Sequence, residues 1–333
     1  MTSRILGGAL SAVVAVAALA PVPLGGQTSS KRAEAVRAVV RTPDGRPDLQ
    51  GYWTNATFIP LERPPEFAGK AEMTEAEAIA YQKKRELQEN SQSKEDIHYD
   101  NVLWQTESYA KGVPDRRTSL IFDPADGKIP PLTPAAQKLA AARNEAARSR
   151  GPADAAEYRS LGERCISWGN EGPPMLGATY YNNLQIFQTG GTVAIRHELM
   201  HGVRMIPLDG SPHPGPNLRL LHGDSRGRWD GDTLVVDTTN FTDRTPFRGP
   251  PATTRPDIFS GENLHVIERF TRADADTIRY RFTVEDAATW VRPWSAEMVL
   301  RKWEGPIFEY ACHEGNYGLG FILSAARAQE RGQ

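Results

Sequence analysis

Residues 183–303 are dominated by short runs in which apolar and polar side chains alternate, each bounded by turn-forming residues. Alternation with period two places every second side chain on one face, so such runs form strands that must pair with each other. Residues 184–189 and 192–199 flank Gly190-Gly191, and a two-residue glycine loop between alternating runs predicts a hairpin with positive φ at the turn. Residues 203–208 continue the alternation of the second run up to a turn at Asp209-Gly210, so 192–206 reads as extended throughout. Further strands are expected at 227–229, 233–238, 264–270, 277–284 and 296–303, with 307–312 as a last candidate. About eight or nine strands joined mainly by short loops make an antiparallel meander, which suits an up-and-down barrel or a curled sheet. The 29 glycines and 25 prolines favour short elements and many turns over long helices.

Upstream, the texture differs. Residues 1–26 carry one early positive charge and a run of Ile, Leu, Val, Ala and Gly, the pattern of a signal peptide, too short at about 16 apolar residues to span a bilayer. Residues 27–50 form an N-terminal extension with a short charged helix near 29–40, and 51–59 supply the first barrel strand. Residues 60–160 form a peripheral, partly helical segment: Thr74 and Glu77 make a capping box opening a helix to about Asn90, and Thr133-Pro134 opens a second to about Arg148. Residues 161–325 make the β-barrel domain and 326–333 a C-terminal tail. In an exported chain, the two cysteines, Cys165 and Cys312, read as one disulfide.

Charge and composition exclude several functions. A net charge of −2 offers no basic surface for nucleic acid, and no apolar segment beyond the signal peptide suggests stable membrane insertion. Gly-rich phosphate loops, G-x-S-x-G elbows and C-x-x-C-H haem sites do not occur. His197-Glu198-Leu199-Met200-His201 does match H-E-x-x-H. On a helix the two imidazoles stand about 6 Å apart and can share a zinc ion, with Glu198 directed at the bound water. On a strand the same residues lie about 13 Å apart, too far to share one. The run predicts a strand, and Arg204 and Pro207 stand where an extended zinc motif needs Gly and His.

Other polar residues offer alternatives. His313 and Glu314 follow Cys312 and precede the turn-former Gly315. Asp209 and His213 belong to a group of charges around three turns, and Trp229 lies in the strand region. The expected function is to bind, and in an enzymatic version transform, a small hydrophobic or amphipathic molecule, since a barrel of about eight strands can hold one. Glu198, Arg204 and His313 are the candidate catalytic residues, and Trp229, Asp209, His213 and Glu314 the candidate ligand contacts. This activity calls for no cofactor. The two alternatives are a zinc peptidase using His197 and His201, and a structural or assembly protein without an active site. No oligomeric state is specified.

Four stretches carry a resemblance: the one from Pro43 to Trp53, the one from Asp123 to Pro130, the one from Gly223 to Phe241 that includes Gly-Arg-Trp-Asp-Gly-Asp-Thr-Leu-Val-Val-Asp-Thr-Thr-Asn-Phe, and Cys312-His-Glu-Gly-Asn316. With these the chain resembles a large group of exported, uncharacterised proteins from environmental bacteria, over nearly its whole mature length. The resemblance implies export to the periplasm or medium, and no catalytic residues. In that group the segment matching 193–206 usually lacks the paired histidines, so it looks like a strand. Gly51-Tyr52-Trp53 ahead of a meander also looks like the opening of lipocalin-like barrels, which hold small apolar ligands.

Overall fold

A computed structural model describes residues 39–90, 115–151, 153–168, 171–177, 182–243 and 261–332. The signal-peptide segment, the first half of the N-terminal extension and, but for its last two residues, the expected charged helix near 29–40 lie outside the described residues. Residues 37–333 cluster as one compact unit.

The architecture is mainly β, a single antiparallel sheet rolled almost into a barrel. Its strands are β1 (Gly51–Thr54), β2 (Ile121–Asp123), β3 (Asn183–Gln188), β4 (Thr192–His197), β5 (Val203–Pro207), β6 (Asp224–Asp230), β7 (Thr233–Thr239), β8 (His265–Asp274), β9 (Thr277–Glu285) and β10 (Trp294–Lys302). The order around the sheet is β5-β4-β3-β1-β10-β9-β8-β7-β6, with β2 pairing further along β10. Two meanders, β3 to β5 and β6 to β10, are thus joined by β1, which pairs with β3 on one side and β10 on the other. The end strands β5 and β6 approach each other without a hydrogen-bonded ladder among the described residues, which leaves a seam.

Among the described residues the α-helices are α1 (Glu75–Asn90), α2 (Pro134–Arg148) and α3 (Tyr317–Glu330). The first two begin where the sequence placed them. The Glu77 amide donates to Thr74 Oγ1 at 3.3 Å while Glu77 Oε2 accepts from the Thr74 amide at 2.7 Å, and Thr133 Oγ1 accepts from the Ala136 amide at 3.1 Å. None of the helices among the described residues is long and apolar enough to cross a membrane.

Four expectations need correction. The first concerns 192–206, which is not one extended run: β4 ends at His197, a 3-10 turn covers Leu199–His201, and β5 returns antiparallel with Arg196 opposite Val203. The His197 amide closes this hairpin on the Gly202 carbonyl at 2.9 Å. Secondly, neither Gly190 nor Gly191 takes positive φ. Their turn is held instead by Thr189, whose amide donates to the Thr192 carbonyl at 2.9 Å and whose hydroxyl accepts from the Thr192 amide at 3.0 Å. In the third, residues 307–312 form no strand, and Cys312 already lies in a turn. The last concerns 60–160, which is not wholly outside: β2 joins the sheet and Leu61, Met73, Leu120 and Ile121 sit in the core.

The barrel interior is filled by side chains. Inward residues of β8, β9 and β10 stack as Phe270 on Tyr280 (4.9 Å between ring centroids), Tyr280 on Phe282 (5.6 Å) and Phe282 on Trp294 (5.9 Å). Trp290 extends the stack, and Trp53 is fully buried on β1. Each such aromatic removes roughly 150–250 Å² from water, so this cluster dominates the core energy.

Cys165 and Cys312 form the expected disulfide across a separation of 147 residues. Closing a loop of that length constrains the unfolded chain by about 5 kcal/mol in the entropic account, and native disulfides commonly contribute about 2–5 kcal/mol. Cys165→Ser/Cys312→Ser is therefore expected to lower the urea-unfolding free energy by about 2–5 kcal/mol. The check is that reductant shifts the parent protein by the same amount and leaves the double variant unmoved.

Candidate functional site

The turn that interrupts 192–206 sets the site. Val193, Ile195 and His197 of β4 point inward, and seven residues later the inward set resumes with Arg204 and Ile206, so the parity of the pattern changes. Val203 and Met205, apolar, face outward at 57% exposure each, while Arg204 is buried. Inward placement is possible because Glu268, on β8 across the barrel, meets it: Arg204 Nη1 and Nη2 donate to the two carboxylate oxygens at 2.7 and 3.0 Å. Tyr280 donates its hydroxyl to Glu268 Oε1 at 2.7 Å and accepts from the Met175 amide at 2.9 Å, which ties residues 171–177 into the interior. Burial pushes the Tyr280 phenol well up, so the hydroxyl remains a donor.

Two glycines shape the seam. A Cβ at Gly227 of β6 would lie 2.5 Å from Leu208 Cδ2 and 2.8 Å from Ile206 Cγ2, so glycine there lets β5 pack over β6. A Cβ at Gly202 would lie 2.1 Å from Glu171 Oε1, so the hairpin turn and the Glu171 carboxylate can touch only with glycine at that position. Between these places lies a cavity of about 420 Å³. Its wall includes His197, Arg204, Glu171, His222, Asp224 and Ser225, with Met205 and Leu220 among the apolar members.

His197 is the most deeply placed of these at 2% exposure. Burial first, then the charge of Arg204 and the neighbouring His222, hold its pKa down to about 3, so the ring is neutral at ordinary pH. Among the described residues its Nε2 is buried without a hydrogen-bond partner, and so is Arg204 Nε. His222 Nδ1 lies 2.9 Å from the Gly172 carbonyl oxygen, which makes that nitrogen the donor, and Nε2 lies 3.9 Å from Glu171 Oε2. Ser225 and Thr238 hydroxyls bond each other at 2.9 Å.

Of the predicted catalytic residues, only Arg204 lines this cavity. Glu198, next to His197 but on the other face, accepts from Asn183 Nδ2 and from the Phe308 amide, both at 2.8 Å. Burial pushes its carboxyl up in pKa, and its bonds fasten the segment after β10 to the hairpin. His313 lies exposed in the turn after the disulfide, as does Glu314, so neither joins the cavity wall. Trp229 packs against the core with the Arg46 guanidinium 5.7 Å above its ring. Asp209 caps its own turn, accepting from the Ser211 amide at 2.9 Å. His213 anchors the loop between β5 and β6, with Nδ1 2.7 Å from Asp224 and Nε2 2.9 Å from Asp237. Asp237 continues to His265 at 2.8 Å, whose Nδ1 lies 3.0 Å from Glu285. The hydrogen bond to Asp237 raises the pKa of His265.

The zinc arrangement is not built. Residues 197–201 run from strand end into a 3-10 turn, with Met200 at φ 62°, so the helix that would bring the two imidazoles to one ion does not form. Among the described residues no group of three or more His, Cys, Asp or Glu side chains converges as a metal site.

Sequence reasoning missed Glu171, His222 and Glu268 altogether. Glu268 sits in a β8 run whose inward positions are otherwise Val266 and Phe270, and a charged residue at an apolar position was the available signal. Comparison with protein-family models, with curated proteins and with solved structures gives no match to this chain.

Proposed function

We propose that this protein acts outside the cytoplasm as a binding protein for a small, largely apolar molecule, held at the seam between β5 and β6. The single observation that carries this is the 420 Å³ cavity at the seam where, among the described residues, the rolled sheet lacks a ladder. Elsewhere the barrel axis is occupied by the aromatic stack, so the ligand space is lateral rather than axial. A volume of that size holds about a dozen non-hydrogen atoms, taking roughly 30 Å³ for each as in liquid water. Binding is favoured over catalysis because Arg204 is locked to Glu268, while Glu198 and His313 stand outside the wall. Export is supported by the disulfide and by the N-terminal apolar run.

Naphthalene, with ten carbon atoms and no polar group, tests the cavity directly. The parent protein is expected to bind it at one site, read by fluorescence titration, and His222→Trp or Val203→Trp, which narrow the mouth, to weaken binding tenfold or more. Binding that ignores both substitutions, or no binding at all, removes the cavity as the functional site and leaves the structural role standing.

A further inference from the structure

This inference rests on the seam cavity being a binding site, and concerns what kind of head group it admits. The formal charges around the wall are already engaged. Arg204 is held by both oxygens of Glu268, and Asp224 by Arg226 (Nε to Oδ1 at 2.8 Å, Nη2 to Oδ2 at 3.0 Å) and by His213. Glu171 Oε2 accepts from the Trp168 amide at 2.9 Å and faces His222. An anionic ligand entering here meets two carboxylates, and the one cation deep in the wall would have to leave Glu268 to receive it. A cationic ligand would have to give up its water in a mostly apolar space, where Asp224 is already paired with Arg226 and Glu171 already accepts from the Trp168 amide.

What the wall lacks is neutral hydrogen bonding. His197 Nε2 and Arg204 Nε are buried and unmet, and both side chains line the cavity. Buried polar groups normally find partners, and leaving one unmet is costly. The Nε–H of a guanidinium can only donate, whereas a neutral imidazole nitrogen donates or accepts according to its tautomer.

We infer that the ligand is uncharged, with an apolar body of about a dozen non-hydrogen atoms and a single hydroxyl or carbonyl that meets the unpartnered His197 Nε2. A hydroxyl serves either tautomer of the imidazole, and a carbonyl serves the donor form.

The test uses the full mature chain and four matched probes: naphthalene, 2-naphthol, 2-naphthoate and 2-naphthylmethylammonium, each titrated by calorimetry at neutral pH. The expected order places 2-naphthol about tenfold tighter than naphthalene, since one net hydrogen bond is worth up to about that factor. Both ions are expected to bind more weakly than 2-naphthol by tenfold or more. In His197→Phe the advantage of 2-naphthol over naphthalene should shrink towards unity. Equal affinity for naphthalene and 2-naphthol in the parent protein overturns the neutral-head assignment, as does preference for either ion, while the cavity itself survives. If none of the four binds, the seam fails as a site and this inference falls with it. The parent-protein ratios decide the matter even if His197→Phe does not fold.

Discussion

Glu268→Gln is expected to destabilise the protein by about 3–5 kcal/mol, because it leaves the Arg204 guanidinium buried in the barrel without its counter-charge. Glu268 is fully buried, and Arg204 nearly so, so water cannot substitute for the missing partner. The loss falls on more than the pair. Tyr280 also directs its hydroxyl at Glu268, and through Tyr280 the Met175 amide is held in place, so one change loosens residues 171–177 as well as β5. Arg204→Met/Glu268→Leu should recover most of the stability, since a buried ion pair is roughly neutral against apolar groups of similar size. Urea unfolding of the parent, both single variants and the double variant gives the coupling energy directly. A Glu268→Gln loss below about 1 kcal/mol would mean that water reaches the pair, and the seam would then be wetter than the geometry indicates.

Acid should act on the same wall through His197. Its ring is neutral in the fold, with a pKa of about 3 against an ordinary value near 6.5 in the unfolded chain. The unfolded chain therefore takes up a proton that the fold refuses, and stability present above about pH 6.5 is lost as pH falls towards 3. The slope for one such group is about 1.4 kcal/mol per pH unit, or nearly 3 kcal/mol by pH 4.5. His197→Phe removes the titrating ring, so its unfolding free energy should fall less steeply over that window by one proton's worth of slope. Comparing the two proteins at each pH cancels the carboxylates that they share. Parallel acid limbs would show that His197 is protonated in the fold, and the neutral-imidazole account of the cavity would fail.

Much of the fold was legible in the sequence because it depends on near neighbours. The capping box at Thr74 and Glu77 and the proline start of α2 are satisfied within a single turn of chain, so their residues fix their geometry. The strands β9 and β10 follow the period-two pattern, and with two cysteines only one disulfide can form within the chain. The glycine pair between β3 and β4 gave the right hairpin for the wrong local reason, since Thr189 closes that turn. The hairpin at 198–202 was hidden by its own flanks: apolar residues alternate on both sides of it, and a single long strand fits the pattern equally well. Gly202 was the available signal, as the position where the chain needs room for Glu171.

The candidate site was legible only in part. Arg204 was found, but Glu198 and His313 were grouped with it on residue type, and the turns after β4 and after Cys312 give them different surroundings. His197 was noticed for a zinc motif and matters instead as a buried neutral ring.

The sequence by itself determined that this chain makes a rolled antiparallel sheet with two outlying capped helices and one cross-link, because strand period, caps and cysteine count are local or numerical properties. Only the tertiary structure decided which face of β5 is inside. That choice puts Arg204 in the barrel and Val203 and Met205 on the surface, against their individual preferences. It holds because Glu268, 64 residues away along the chain, arrives within hydrogen-bonding distance, and no pattern confined to one segment can state that a partner will be there.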